Sequence, residues 1–339
     1  MTEVVDRVVN LLRKPVGKIV QCPDRGSERA SPRRVFSKGN WVMVDNSDTL
    51  DLGAFNVHRL GFGTMQLTGR GVWGPPRDHD TAIAVLRRTV ELGVDLLDTA
   101  DSYGPNVAEE LIREALHPYP ATLRIATKAG FTRAGPNRWQ ECGEPEYLRA
   151  QCEGSLKRLG VEQIDLFQLH RIDPEVPADE QFGLLKALRD EGKVREVGLS
   201  EVSVAQIEAA QRIVPIVSVQ NQYHIAQRSA DDVIEFCEAQ RVGFIPYAPL
   251  GSGKLSKSGG PLDRVAKELG ATVPQVCLAW LLRRSPVMLP IPGTSSLGHL
   301  EENCAASRIT LSDAQYQELS DARKILRRWA MGASQANPQ

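Results

Sequence analysis

Between Leu60 and Ala306 the chain repeats one pattern eight times: a short apolar run with extended character, then a longer stretch whose apolar residues recur three and four positions apart. The strand segments are Leu60–Thr64, Val94–Asp98, Leu123–Lys128, Ile164–His170, Val194–Ser200, Ile216–Gln220, Gly243–Tyr247 and Val287–Ile291. The helix segments that follow them are Asp80–Leu92, Val107–Leu116, Pro145–Leu159, Asp179–Glu191, Val204–Ile213, Asp231–Gln240, Pro274–Arg284 and Ser296–Ala306. Strands joined through helices run parallel, and eight such units favour an α/β protein closed into a (β/α)8 TIM barrel over an open doubly wound sheet. Ahead of the first unit, Gly53 separates two extended pieces between Leu50 and Arg59, which reads as a hairpin closing one end of the barrel. An extra amphipathic C-terminal helix is expected over Ser312–Leu326, packed across the wall.

A barrel of this kind takes about 250 residues, and the chain has 339. The surplus lies mainly at the start, where a short Val/Leu-rich stretch from Val4 to Leu12 precedes Pro15 and a polar, basic run from Asp24 to Lys38. With little to bury, residues 1–45 are expected to be a disordered extension, 46–330 the barrel, and 331–339 a tail. Met43 stands just before the regular part, so an upstream start or expression artefact and a genuine regulatory arm both remain open. A chain starting at Met43 is expected to keep full activity.

Forty-one basic and 42 acidic residues leave a net charge of −1, mixed along the chain, which gives no footing for nucleic acid. Six cysteines at 22, 142, 152, 237, 277 and 304 form no C-x-x-C pair, so no metal site or disulfide framework is expected. No apolar run approaches the roughly 20 residues of a membrane helix, nor is there a signal-peptide pattern, and the expected location is cytoplasmic, without a membrane partner. Oligomeric state is not legible.

The working face of a parallel barrel lies at the C-terminal ends of its strands. There stand Asp98, Lys128, His170, Ser200 and Gln220, with Tyr103 five residues beyond Asp98. Singly, each has an ordinary structural explanation. Together they form a chemical set: a phenol titrates near 10 and gives up its proton at neutral pH only beside a cation, and that cation needs an anion to hold it. Lys128 and Asp98 suit those roles, and His170 can bond and orient a carbonyl oxygen.

These residues sit in the words Asp98-Thr99-Ala100-Asp101-Ser102-Tyr103-Gly104, Thr127-Lys128, Leu169-His170, Val197-Gly198-Leu199-Ser200, Val219-Gln220, Tyr247-Ala248-Pro249-Leu250 and Ile291-Pro292-Gly293-Thr294. In that order they resemble the aldo-keto reductases, from Asp48 to about Leu326, in the shorter-loop bacterial-type branch. The resemblance implies a catalytic tetrad of Asp98, Tyr103, Lys128 and His170, and NADPH-dependent reduction of a small carbonyl substrate with Tyr103 as general acid. It implies that Tyr247 stacks on the nicotinamide while Ser200 and Gln220 bond its carboxamide. Glu201 stands where the family usually has Asn and, ionised, can accept but not donate there. Pro249, Leu250, Gly251, Gly253 and Lys254 would cover the pyrophosphate. The loop's P-loop likeness fails at Leu255, where Ser or Thr is required, and no G-x-G-x-x-G follows the first strand.

Gly293, Thr294, Ser295 and His299 lie at the start of the last helix unit, where free N–H groups favour a 2′-phosphate. Relatives with long substrate loops carry Lys and Arg in place of Gly293 and His299. Glu302 and Asn303 match the adenine contacts, and Trp73 and Trp139, on the loops after strands one and three, are candidate substrate walls. The words Ile291–Leu297 and Lys128–Phe131 resemble pyridoxal reductases, making pyridoxal one candidate substrate. A nicotinamide-binding regulator like the potassium-channel β-subunits, and an alcohol dehydrogenase working mainly in the oxidising direction, are the alternatives.

Overall fold

The computed structural model describes residues 48–251, 255 and 260–332. The expectations for the extension over 1–45, for most of the tail over 331–339 and for Gly253 and Lys254 lie outside the described residues.

A hairpin opens the described chain: β1 (Thr49–Leu52) and β2 (Phe55–His58) turn through Gly53, whose φ of +61° suits a residue without a side chain. Strict alternation puts Leu50, Leu52, Phe55 and Val57 on its buried face. The hairpin sits at the N-terminal ends of the barrel strands. Ala54 N donates to Glu196 Oε1 (2.7 Å), and His58 N donates to Asp95 Oδ1 (3.0 Å).

Seven parallel strands follow: β3 (Phe62–Gly63), β4 (Leu96–Asp98), β5 (Arg124–Ala129), β8 (Ile164–Leu169), β9 (Val194–Ser200), β10 (Ser218–Gln220) and β11 (Gly243–Phe244). They pair side by side in the order β3-β4-β5-β8-β9-β10-β11. Burial on both faces explains why these strands read as near-continuous apolar runs. Their crossover helices are α1 (His79–Glu91), α2 (Val107–Leu116), α3 (Pro145–Leu159), α4 (Ala178–Asp190), α5 (Val204–Gln211) and α6 (Asp231–Gln240). Asp78 caps α1, and a capping box of Ser203 and Gln206 starts α5. None of the described helices is long and apolar enough to cross a membrane.

The expected eighth strand is present as a stave without a regular ladder. Phe244 N donates to Val287 O (2.8 Å), Leu289 N donates to Phe244 O (2.8 Å), and on the other side Gly61 N donates to Pro290 O (3.0 Å), so the segment bridges β11 and β3 and closes the ring. Pro290 and Pro292 have no N–H to donate, which keeps this seam short of rungs. Arg59 supplements it, donating to Met288 O (3.1 Å), Leu282 O (2.5 Å) and Ser285 O (2.6 Å) while paired with Asp48 (3.0 Å).

Three features differ from the sequence expectation. After β5 the chain makes an antiparallel hairpin, β6 (Phe131–Gly135) and β7 (Arg138–Glu141), where the sequence pattern predicts a loop. Before α8 (Val273–Arg284) lies α7 (Pro261–Leu269), framed by Pro261 in its first turn and Gly270 at its left-handed cap. The helix expected over Ser312–Leu326 is two, α10 (Asp313–Asp321) and α11 (Arg323–Gly332), parted at Ala322. Between α8 and α10, α9 (Leu297–Ala305) is capped by Ser296.

Candidate active site

The strand ends converge on a cavity of about 870 Å³ at the C-terminal face. Asp98 ends β4, Lys128 lies one residue from the end of β5, and His170 follows β8, its N–H bonded to Ala129 O (2.8 Å). Tyr103 comes from the turn after β4, which hangs from β5: Thr99 N bonds Ala126 O (2.8 Å) and Asp101 N bonds Lys128 O (3.1 Å). Gly104 has φ +104°, and a Cβ there would lie 2.4 Å from Val107 Cβ, so only glycine lets the chain turn at once into α2.

The four side chains meet. Lys128 Nζ donates to Asp98 Oδ1 (2.6 Å) and Thr99 O (2.8 Å) and stands 3.5 Å from the Tyr103 hydroxyl. Lys128 and Asp98 are 0% and 2% exposed, so a lone charge at either position would be untenable and each holds the other. Asp98 Oδ2 accepts from Gln220 Nε2 (2.8 Å) and Gln168 Nε2 (3.3 Å), which fixes the carboxylate. Burial opposes the charge on Lys128, yet Asp98 and Tyr103 together hold its pKa above the ordinary value. Burial pushes the Tyr103 phenol above 10, against the pull of Lys128. The isolated expectation, that the cation lowers this phenol, is thus outweighed by desolvation, and the group is a protonated phenol at neutral pH.

His170 Nδ1 faces Ser102 Oγ at 3.4 Å, leaving Nε2 for the cavity. Burial, then Lys128, Arg171 and Arg133, drive its pKa well below 6.5, so the ring is neutral. Phe131 and Trp139, both from the hairpin absent from the sequence reading, wall the catalytic corner: Trp139 lies 6.4 Å from Tyr103 and 6.3 Å from His170, and Phe131 lies 4.8 Å from His170, centroid to centroid. Arg133 stacks 3.5 Å from the Trp139 ring and ties three loops, with its guanidinium bonded to Ser102 O (2.6 Å) and Gly71 O (3.0 Å).

Of the other expected residues, Ser200, Gln220, Tyr247, Pro249, Leu250, Gly293, Thr294, Ser295, His299, Glu302 and Asn303 all line this cavity, as does Trp139. Three stand apart from its wall. Trp73 is on the outer loop, with Arg133 5.8 Å from its ring. Gly251 is buried beneath Leu255 and His224. Glu201 is exposed, at φ +55°, and its carboxylate accepts from Gln222 N (2.6 Å) and reaches the hydroxyl of the cavity-lining Tyr247. Gln220 has its amide N–H on Asp98, which leaves its carbonyl to accept. Gln168, Arg133 and Arg171 have no place in the sequence reading, and Ser102 and Phe131 enter it only as letters of longer words; Arg171, directly after a strand-end histidine, is the most legible of them.

The substitution of Gly293 for a cation also has a structural reason. A Cβ there would lie 2.3 Å from Gly63 O, and one on Gly63 would lie 2.8 Å from Ile291 O, so these glycines let the eighth stave leave the barrel in contact with β3.

A sequence model of the aldo/keto reductase family matches residues 59–324. An uncharacterized oxidoreductase of Schizosaccharomyces pombe is 49% identical over 283 residues, covering 84% of this chain and 92% of that protein. The pyridoxine 4-dehydrogenase of Escherichia coli is 43% identical over 274 residues, covering 79% and 96%. Among solved structures, a thermostable aldo-keto reductase in complex with epalrestat superposes with a TM-score of 0.73 at 29% identity, covering 80% of this chain and 98% of that one. An aldo-keto reductase from Klebsiella pneumoniae in complex with NADPH gives 0.70 at 27%, covering 81% and 95%.

Proposed function

The chain belongs to the aldo/keto reductase family, and we propose that it reduces a small aldehyde or ketone to the alcohol with NADPH as cofactor and Tyr103 as general acid. The observation that carries this reading is the buried Asp98–Lys128 pair beneath the Tyr103 hydroxyl, with the neutral His170 beside it, at the floor of a cavity large enough for cofactor and substrate.

The residues present fit the cofactor. The cavity runs from the tetrad past Tyr247 to the start of α9, where the backbone N–H groups at a helix N-terminus suit a phosphate. Ser200 and the Gln220 carbonyl would hold the carboxamide, Tyr247 the ring face, and Glu302 and the buried Asn303 the adenine. Thr294, Ser295 and His299 would take the place of the absent Lys and Arg at the 2′-phosphate. NADPH supplies the hydride when bound.

The chain's own part is proton delivery and orientation. His170, with Nδ1 toward Ser102, presents Nε2–H to the carbonyl oxygen and sets its direction. Tyr103 gives its proton to that oxygen as negative charge develops, and Lys128 stabilises the phenolate left behind, which is worth most in a dry site. Phe131 and Trp139 exclude water from this corner. The name of the E. coli relative joins the Ile291–Leu297 and Lys128–Phe131 words in favouring pyridoxal, with pyridoxine as the alcohol; the same groups serve the reverse direction.

The test is NADPH oxidation against an aldehyde panel that includes pyridoxal, with Tyr103→Phe as the control. The variant should fold and bind NADPH as the wild type does, yet lose roughly 10² to 10⁴ in kcat. Lys128→Met should be comparably damaging, and the double variant should lose far less than the product of the two. Retention of more than a tenth of kcat by Tyr103→Phe would remove the acid from Tyr103, and NADPH binding without any turnover would favour the regulator instead.

A further inference from the structure

Arg171 lies in the wall of the catalytic corner, half-buried, between the Phe131 and Tyr247 rings, with its guanidinium carbon 5.4 and 6.0 Å from their centroids. One terminal nitrogen, Nη1, donates to His170 O (2.5 Å) and Ser200 Oγ (3.1 Å). A guanidinium has five N–H donors; these two bonds and a contact to the Tyr247 hydroxyl leave at least two of them unspent. No carboxylate pairs with it among the described residues. Lys128 is neutralised by Asp98, whereas Arg171 and the neighbouring Arg133 have no carboxylate in ion-pair contact among the described residues; Glu201 reaches the same Tyr247 hydroxyl as Arg171 and offsets part of this charge, so two guanidinium groups face one carboxylate and the reacting end of the cavity keeps an excess of positive charge. The same field bears on His170, which Lys128, Arg171 and Arg133 all push toward neutrality.

We propose that Arg171 selects the substrate class: the pocket takes aldehydes that carry an ionised oxygen, carboxylate or phenolate, which pairs with the guanidinium while His170 and Tyr103 hold the carbonyl. The proposal rests on the reductase reading above and narrows it. An anion desolvated against an unpaired guanidinium makes charge-assisted bonds, roughly twice as strong as neutral ones, and a site with a buried charge to satisfy rejects the analogue that lacks the partner.

Two matched pairs test it at neutral pH: 4-carboxybenzaldehyde against benzaldehyde, and pyridoxal, whose ring carries an ionisable hydroxyl, against pyridine-4-carbaldehyde, which lacks it. The readout is the charged-to-neutral ratio of kcat/KM, because Arg171 also braces Ser200 and both members of a pair suffer equally from a loosened site. Arg171→Gln should lower that ratio by about 10- to 100-fold in at least one pair, whatever the loosened Ser200 does to the NADPH Kd, and be partly rescued by Arg171→Lys. The pair that responds tells carboxylate from phenolate. Equal losses for the charged and the neutral member of each pair, with or without a weakened NADPH complex, would make Arg171 a brace or a cofactor ligand and overturn the proposal. If the wild type turns over no aldehyde, the reductase reading fails by itself. Quenching of tryptophan fluorescence by benzoate but not by benzyl alcohol, lost in Arg171→Gln, would then still support the anion site, and no benzoate binding would overturn it.

Discussion

At the scale of single residues, the site is governed by what burial does to charge. Tyr103 must be protonated to act as an acid, and its pKa is raised above 10 by burial, so this group keeps reduction intact through neutral pH and loses it only on the far alkaline side. His170 must be neutral to orient a carbonyl, and its pKa is driven well below 6.5, so charging it lies on the acid side of that value. The expected kcat/KM profile for reduction is flat from about pH 6.5 to about 10; a limb with its midpoint near 6.5 that vanishes in His170→Gln would contradict this. Asp101, 2% exposed behind the same turn, has one carboxyl oxygen with no partner and its pKa pushed up to about 8, by burial first and then by Glu109. A carboxyl whose folded pKa is raised binds a proton more tightly folded than unfolded, so it weakens the fold progressively as pH rises from about 4 toward 8. Asp101→Asn should therefore gain on the wild type in urea-unfolding stability as pH rises, by up to a few kcal/mol more at pH 8.5 than at pH 5. The same difference at both values would show an ionised, satisfied carboxylate. From sequence Asp101 was only one letter of a word, because its titration depends on Glu109 and on what covers it.

Elements that repeat were legible and elements that interrupt the repeat were not. Asp98, Lys128, His170, Ser200 and Gln220 could be found because a strand's end is a position with a known neighbourhood, whichever fold details follow. The β6–β7 hairpin escaped because Thr132-Arg133-Ala134-Gly135 and Arg138-Trp139-Gln140 lack apolar alternation; it is held by Arg133 and Trp139 against neighbouring loops, which only the fold brings near. Trp73 and Glu201 have the expected chain position but lie outside the cavity lining, a matter of local backbone that spacing does not carry. The eighth stave's exit is a question of clearance. Gly293→Ala should displace the Gly63 backbone, lower stability by about 1–3 kcal/mol and weaken NADPH binding, whereas Gly298→Ala, whose Cβ would meet nothing closer than 3.9 Å, should do neither. Indistinguishable melting and binding for the two variants would mean that the close approach is not maintained in solution.

Over the whole molecule, closure falls to side chains where the ladder is thin. Arg59 bonds three carbonyls from the segment 282–288 and is itself held by Asp48, so one guanidinium spans the joint between the first stave and the last. Arg59→Met keeps the stem but strips those carbonyls of their donor. The expected loss is about 1–3 kcal/mol, read from urea unfolding, with activity per folded molecule preserved because the tetrad sits at the opposite end of the strands. A loss under about 0.5 kcal/mol would show that Gly61 and Phe244 close the ring unaided.

That joint also sets an order of events. Arg59 and Met288 are 229 residues apart in the chain. At about 5–20 residues per second, a ribosome takes roughly ten to fifty seconds to make what lies between them. Throughout that interval β3 has a neighbour on one side only, and an unpaired strand edge invites pairing with other nascent chains. β3 is two residues long, Phe62 and Gly63, and so offers almost no edge to capture. The strand that must wait longest for its partner is thus among the shortest in the sheet.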